Sequence, residues 1–390
     1  AQDERNSVLS VLKQYVSSVF EDEANADYSG RYVFTGYRTD TSLLFDESTK
    51  NLAYDIKENF KYTDIGTVNV VTGMVEYKKG ADAQNYADQM AAIEKKSFYK
   101  VQLAYKNCSA ASYASVKDGK DAAENYVTLT TSYKGTDGKD VEKVYNAVTR
   151  ASTDANAYEV GDDEVIYLYD TGEMLIGKNV YTEIQENQAD FRANYCKTEF
   201  DKSDIRPEMY FECQSYNKVS KKETTYADPD GQEIKYEVNF SQNMTVNTQA
   251  RDAIDTDIYR VIDYLSNAIA DVDEVESRIA NANKMIANTT DPDELEKLNA
   301  YKESLETEKS LRVTVMTEAF GKGLTMVDTT QKKLNVAVAD LGTRYDRLKL
   351  TSDKLADQKV DVEEQLSNNE DVDISDAYIN LTQADNLYQY

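Results

Sequence analysis

The residue types that most often carry catalysis are absent or scattered in this chain. There is no histidine among its 390 residues, which excludes Ser-His-Asp and Cys-His catalysis, HExxH metal sites and the usual general base near neutral pH. Carboxylate and lysine chemistry survive this exclusion, but no nucleophile constellation or metal-ligand cluster emerges. The sequence therefore predicts a protein that is not an enzyme, with no catalytic residues, no cofactor and no metal.

One segment comes close to a phosphate-binding loop. GEMLIGKN, residues 172–179, has Gly172, Gly177 and Lys178 at the required spacing. Asn179 stands where Ser or Thr must hold magnesium, and the interior of the segment is apolar. This favours a strand in a hairpin over a turn that opens a helix.

A second segment has acids at alternate positions, like a calcium loop. NNEDVDISDAY, residues 368–378, lacks the glycine at position six and the closing glutamate of that loop. The alternative is helix capping, in which Asp371 or Asp373 begins a final helix. We expect capping.

The three cysteines, Cys108, Cys196 and Cys213, are widely spaced. Their number and spacing are neither a disulfide framework nor a zinc-ligand pattern. We expect buried, inert thiols, and a single Cys196–Cys213 bridge is the alternative.

Charge and hydropathy limit the classes of partner. With 71 acidic and 44 basic residues, the chain has a formal charge of -27. This excludes general affinity for nucleic acid or for an anionic membrane surface, since both need clustered Lys and Arg. No apolar run approaches the roughly 20 residues that span a bilayer. The chain opens inside a helical pattern without methionine or signal peptide, so we interpret it as a fragment.

Both ends have the periodicity of helices. Residues 1–24 have one broad apolar stripe. From about residue 254 an apolar row recurs at alternating steps of three and four, which predicts a helix that faces a partner helix. Asp291 and Pro292 then suit the start of a second helix, so a helical hairpin is expected to turn near 289–292.

The second helix has an apolar residue at every seventh position. This row consists of Val313, Phe320, Val327, Leu334, Leu341, Leu348, Leu355 and Val362. The companion row is half polar, which favours a long helix lying on a bundle over a two-stranded zipper. Gly321 and Gly323 are candidate kinks.

The middle of the chain changes to period two. It predicts three hairpins, with turns at 137–138, 170–172 and 227–232, and a short helix near 81–96. The fold class is therefore α+β, a discontinuous long-helix bundle with an inserted antiparallel β-rich domain. The expected division is 1–46 and 250–390 for the helical domain and 47–249 for the insertion, which has one or two subdomains.

The segment GRYVFTGYRTDTSLLF, residues 30–45, is aromatic although it is prone to turns. It has the pattern G-x-Y-x-F-x-G through Gly30, Tyr32, Phe34 and Gly36, followed by Phe45. This pattern after a first helix resembles flagellar hook–filament junction proteins, the hook-associated protein 3 family of flagellin relatives.

The C-terminal end resembles the same family. LGTRYDRL, residues 341–348, is similar to its Gly-x-Arg-x-x-Arg-Leu segment, and the closing helix is similar through Leu381, Gln383 and the pair Tyr388-Gln389. Flagellins usually lack that pair and the Tyr-x-Phe-x-Gly pattern, which favours the junction family. The resemblance covers about 1–46 and 235–390 and implies that both extreme ends are missing.

The resemblance implies a non-enzymatic structural adapter of the bacterial flagellum. Such a protein is exported unfolded through the type III apparatus with a chaperone and forms a layer between hook-associated protein 1 and the flagellin filament, outside the cell. The implied structural and interface residues are Tyr32, Phe34, Gly36, Phe45, Val338, Leu341, Tyr345, Leu348, Leu355, Val362 and Tyr388.

We expect Tyr32 and Phe34 to pin the loop that leaves the first helix onto the long C-terminal helix. Aromatic side chains suit this because each buries a large apolar area for little side-chain entropy. The alternative is that they are ordinary core residues of the β-rich domain. Two other functions stay open, a flagellin filament subunit and a surface adhesin that binds through its tyrosine-rich domain.

Overall fold

A computed structural model describes residues 2–119, 127–135, 137–154, 156–239, 242–254, 256–371 and 373–389. Contacts divide the chain into two compact units. The first contains residues 1–232 and 248–335, and the second contains residues 233–247 and 336–390. The three-part division at residues 46 and 249 stays a prediction.

The long helices lie near the two ends of the chain, and short helices connect strands in the middle. They are α1 (Gln2–Ser17), α2 (Ala83–Ala91), α3 (Tyr113–Asp118), α4 (Lys178–Glu186), α5 (Ala250–Ala253), α6 (Asp257–Ala287), α7 (Pro292–Glu370) and α8 (Ile374–Tyr388). A π-helical segment, Ser18–Ala24, continues α1. The helices confirm the predicted periodicity of both ends, and α2 confirms the short helix near 81–96.

The turn between α6 and α7 lies where the sequence predicts it. Helix α6 ends at Ala287 and α7 begins at Pro292, and the Asp291 carboxylate accepts a hydrogen bond of 3.0 Å from the Asp293 amide. Most of the apolar row of α6 is buried, and part of it forms a cluster with Tyr301 and Leu305 of α7. The helical hairpin is confirmed.

Glycine at position 323 allows α6 and α7 to approach closely. A Cβ atom at Gly323 would lie 3.3 Å from Cδ2 of Leu265, which is tighter than ordinary van der Waals contact. Helix α7 continues through both Gly321 and Gly323 as one helix of 79 residues. Gly323 therefore serves helix packing, and neither glycine ends the helix.

The strands are short and follow one another in the middle of the chain. They are β1 (Asp27–Tyr28), β2 (Arg31–Tyr32), β3 (Leu52–Phe60), β4 (Gly66–Thr72), β5 (Glu94–Gln102), β6 (Thr128–Lys134), β7 (Asp140–Asn146), β8 (Val148–Arg150), β9 (Val165–Leu168), β10 (Glu173–Ile176), β11 (Asp190–Lys197), β12 (Glu212–Asn217), β13 (Glu223–Tyr226), β14 (Lys235–Asn239) and β15 (Gln242–Thr245).

Two sheets form the strand-rich part of the first unit. One has the order β13-β12-β3-β11-β6-β7 and the other the order β4-β5-β10-β9-β8. The predicted hairpins with turns at 137–138 and 170–172 are β6–β7 and β9–β10. The third predicted hairpin is wrong, because the strands on the two sides of the turn at 227–232 have other partners: β13 pairs with β12, and β14 pairs with β15. One pair, β8 with β9, is parallel, so the sheet that contains it is mixed and the prediction of a wholly antiparallel β-rich domain is wrong. The α+β class is confirmed, while the long-helix bundle and the inserted domain stay predictions.

The cysteine positions exclude the alternative of a bridge. Cys196 of β11 pairs with Asp55 of β3, and Cys213 of β12 pairs with Ile56 of the same strand from its other side. Two strands that flank a third lie about 9–10 Å apart, beyond the reach of a disulfide. All three thiols are free and buried, and burial raises the pKa of Cys108 to about 12. The expectation of inert thiols agrees with this, and the Cys196–Cys213 bridge is wrong.

Candidate assembly surface

The segment that is similar to a phosphate-binding loop has a structural role. Residues 173–176 form β10 of the β9–β10 hairpin, which confirms the strand, and α4 begins directly after it at Lys178. The amides of Gly177 and Asn179 donate hydrogen bonds of 2.8 Å to the carbonyl oxygens of Glu164 and Asp162. A phosphate would need those amides, and backbone carbonyls already accept from them.

The acidic segment before the last helix acts as a cap. The Asp373 carboxylate accepts a hydrogen bond of 2.8 Å from the Ser375 amide at the start of α8, which confirms capping. In the part of the chain that the structure describes, no group of three His, Cys, Asp or Glu side chains is arranged to hold a metal ion.

The aromatic segment separates into two environments. Phe45 is buried, and its ring centroid lies 4.6 Å from that of Phe200 and 6.5 Å from that of Tyr54. The guanidinium of Arg206 lies 4.5 Å from the centroid of the same ring. Phe45 is therefore an aromatic core residue between the sheets and the preceding loop.

Tyr32 and Phe34 are only half-buried. Tyr32 lies in the two-stranded β1–β2 sheet, opposite Asp27. The carbonyl oxygen of Phe34 accepts a hydrogen bond of 2.8 Å from the Ala250 amide at the start of α5. This bond joins the segment to the chain just before α6, while pinning of the rings onto the long C-terminal helix stays a prediction.

Gly36 has a conformation and a location that favour glycine. Its φ is +61°, and a Cβ atom there would lie 2.5 Å from Oε1 of Gln232. The same Gln232 oxygen accepts a hydrogen bond of 3.1 Å from the Tyr37 amide. The glycine of the Tyr-x-Phe-x-Gly pattern thus permits this close contact.

Two contacts near the aromatic segment were not predicted from the sequence. The Phe20 ring, fully buried in the π-helical segment, lies 4.5 Å from that of Tyr259 in α6. The Asn25 side chain accepts a hydrogen bond of 2.8 Å from the Leu43 amide. These contacts hold the end of the first helix, and a polar residue directly after a helix was the only sequence signal for the second.

The second unit exposes apolar side chains along its helices. On α7, the exposed fractions are 60% for Val338, 50% for Leu341, 65% for Tyr345, 42% for Leu348, 41% for Leu355 and 62% for Val362. On α8, Ile374 is 84% and Tyr388 90% exposed. A continuous row of this kind marks an interaction surface, whereas the same row of α7 in the first unit, from Val313 to Leu334, is half-buried.

Arg344 connects α7 to the β14–β15 hairpin within the second unit. Its Nη1 donates to the carbonyl oxygens of Asn247, at 2.7 Å, and Thr245, at 3.3 Å. Its Nη2 lies 2.7 Å from the Asp340 carboxylate on the same helix. The arginine of the LGTRYDRL segment therefore orients the hairpin on the helix.

We expect Arg344→Ala to release this hairpin without unfolding α7. Losing two hydrogen bonds from a charged donor should cost about 1–3 kcal/mol locally, so amide hydrogen exchange of residues 235–239 and 242–245 should accelerate at least about 5-fold. Arg347→Ala, an exposed arginine of the same segment, is the control. Equal exchange in the two variants would contradict the role of Arg344.

A buried ion cluster fixes the loop after β4 on the α6–α7 hairpin. The fully buried Glu308 carboxylate accepts hydrogen bonds from Arg278 Nη2 and Arg312 Nε, both at 2.7 Å, and from the Val75 amide at 3.0 Å. Burial raises the pKa of Glu308, but the hydrogen bonds from Arg278 and Val75 outweigh it, so the pKa lies below its ordinary value. The spacing of Glu308 and Arg312 was a sequence signal that pattern reasoning did not use.

Comparison with known proteins adds one match. Residues 324–390 match the family model described as bacterial flagellin C-terminal helical region. No curated protein and no solved structure matches the chain at a significant level. Among the described residues, no helix combines the length and apolar character needed to cross a membrane. The matched residues contain the exposed row of α7 and α8, and over them the chain is similar to the flagellin C-terminal helical region.

Proposed function

We propose that this chain is a hook–filament junction protein of the bacterial flagellum, of the hook-associated protein 3 type. The observation that carries a structural role is the exposed apolar row on α7 and α8, which lies within the residues that match the flagellin C-terminal region. Polymer subunits need such surfaces, because association buries apolar area that a single copy leaves in water. A flagellin-like structural role also implies a location outside the cell and self-association into a polymer.

The junction position rests on the sequence patterns. Glycine is favoured at position 36 by its φ and by its contact with Gln232, and Arg344 has a defined hydrogen-bonding role. Both belong to the segments that resemble the junction family. The proposed neighbours are further copies of this chain, hook-associated protein 1 and flagellin, with a chaperone and the type III apparatus during export.

A flagellin filament subunit is the second candidate, because the matched C-terminal region is that of flagellin itself. Immunogold electron microscopy of intact flagella, with antibody raised to residues 51–249, separates the two. One discrete band where hook meets filament would support the junction role. Label along the whole filament would favour a flagellin filament subunit, and absence of label on flagella would favour a surface adhesin.

We expect Leu348→Asp to prevent incorporation into flagella. The substitution places a charge in the apolar row, and burying an unpaired carboxylate on assembly costs several kcal/mol, enough for a loss of more than about 100-fold. Thr343→Asp adds the same charge at another exposed position of α7 and should incorporate normally. Incorporation is measured by immunogold label per flagellum, and equal label for both variants would contradict the assignment of the surface.

A further inference from the structure

Two exposed rows of side chains in the second unit have the same spacing. On α7, steps of four, three, four and three residues connect Leu348, Ser352, Leu355, Lys359 and Val362. On α8, the same steps connect Ile374, Tyr378, Leu381, Asp385 and Tyr388. All these side chains are exposed. Such steps place residues along one side of a helix, as at the contact between two helices of a coiled coil.

Each row contains one charged residue, and it is the fourth member of both rows. This residue is Lys359 on α7 and Asp385 on α8. Lys359 lies 3.6 Å from Glu363 at exposed positions, an interaction that contributes little to stability. Helix α8 contains no basic residue. The two rows therefore have opposite charges at corresponding positions and are uncharged at the other four.

The other acids of this stretch of α7 lie on its far side. At 100° per residue, the acids between Leu348 and Val362, which are Asp353, Asp357 and Asp361, lie about 140–180° from the middle of the row. Helix α8 is acidic, with Asp376 and Asp385 and with Asp373 as its cap. It can approach the α7 row without facing these three carboxylates.

A parallel alignment of the two helices brings every member of one row opposite its counterpart in the other. Lys359 then faces Asp385, and the small side chain of Ser352 faces the ring of Tyr378. Apolar side chains face one another at the other three positions of the rows. A single charged pair within an apolar contact of this kind fixes the register of two helices.

This parallel alignment requires two copies of the chain. Leu348 lies ~33 Å before the end of α7 at Glu370, whereas the connection from Glu370 to Ile374 spans at most ~15 Å. We infer that α8 of one copy packs in parallel on the 348–362 row of α7 of a second copy. The inference rests on the proposed self-association and names the two elements that meet.

Disulfide trapping between two full-length populations tests this register. One population, which has an affinity tag, contains Ser352→Cys, and the other contains Tyr378→Cys, both at exposed positions. The three native thiols are buried. Mild oxidation of the mixture should give a heterodimer joined through positions 352 and 378. In the control mixture Gln358→Cys, at an exposed position on another side of α7, replaces Ser352→Cys and should lower the yield at least about 5-fold.

Exchange of the two charges tests the pair at the centre of the contact. Lys359→Asp in the first population should lower the yield at least about 5-fold, because it places two carboxylates together. Asp385→Lys in the second population should do the same by placing two ammonium groups together. Mixing the two exchanged populations restores opposite charges and should return the yield to within about 2-fold of the original mixture. Loss of helix structure in a variant would not give this recovery.

Absence of the heterodimer, an equal yield from position 358 or no recovery with exchanged charges would each overturn the inference. So would an equal yield of dimers joined through position 352 of both copies, which would mean that α7 pairs with α7. A disulfide within one chain that contains Leu366→Cys and Tyr378→Cys would mean that α8 folds back on its own α7, which would also overturn it.

Immunogold labelling tests the junction role separately. A junction band together with no trapped heterodimer would remove the pairing of α8 with α7 and leave the proposed function intact. A trapped heterodimer together with no label on flagella would support the pairing and remove the proposed function.

Discussion

Glu308→Ala is expected to lower the free energy of unfolding by about 3–5 kcal/mol, because it leaves the buried guanidinium of Arg312 and the partly buried guanidinium of Arg278 without this carboxylate. Arg278 and Arg312 both depend on Glu308 at 2.7 Å, and the Val75 amide loses its acceptor as well. Chemical denaturation measures the loss, and hydrogen exchange at Val75 localises it to the loop after β4.

Glu306→Ala is the matched control, since Glu306 is exposed on the same turn of α7. Its effect should stay within about 0.5 kcal/mol, as for most surface substitutions. If the two variants lose similar stability, the ion cluster does not hold the loop, and packing of Tyr301 and Leu305 alone would account for the α6–α7 contact.

The pKa of Glu308 adds a pH dependence with a definite sign. Its value in the folded protein lies below the ordinary value of 4.5. The stabilisation by the ionised carboxylate is therefore fully present above the pKa of the unfolded chain and is lost as the pH falls through the lower folded pKa. The stability difference between the native protein and Glu308→Gln should thus be constant near neutral pH and shrink in acid.

The spacing of apolar residues predicted the helices and strands that bury one face along their whole length. The apolar row of α6 faces α7 because both helices keep a seven-residue repeat, and the turn at Asp291 and Pro292 follows from capping chemistry. The period-two pattern also located two of the three predicted hairpins, β6–β7 and β9–β10. Each of these depends on residues near one another in sequence.

Contacts between distant residues could not be predicted in the same way. Glu308 binds Val75, Arg278 and Arg312. Val75 is far from the other three in sequence, and no periodic pattern connects it to them. The parallel pairing of β8 and β9 likewise could not be predicted, because it depends on the path of the connection between the two strands. Burial in the aromatic segment differs between Phe34 and Phe45 for the same reason, because ring type alone does not fix which side chain reaches a core.

The same difference in burial predicts that removing the two rings destabilises the protein by different amounts. Phe45→Ala should lower the free energy of unfolding by about 3–5 kcal/mol, the usual cost of removing a buried aromatic ring. The lost contacts are those with Phe200, Tyr54 and the Arg206 guanidinium. Phe34→Ala should cost only about 1–2 kcal/mol, because its ring is half-buried.

Tyr28→Ala provides the control, since this nearby tyrosine is 79% exposed and should change stability by less than about 0.5 kcal/mol. Denaturation of the three variants under one set of conditions gives the order. A larger loss for Phe34 than for Phe45 would mean that its ring is an anchor in the sense expected from the sequence. A loss well under 1 kcal/mol for Phe34→Ala would show that its ring neither pins the loop nor belongs to the core, and the aromatic segment would then stabilise the protein through Phe45 and the backbone bond to Ala250.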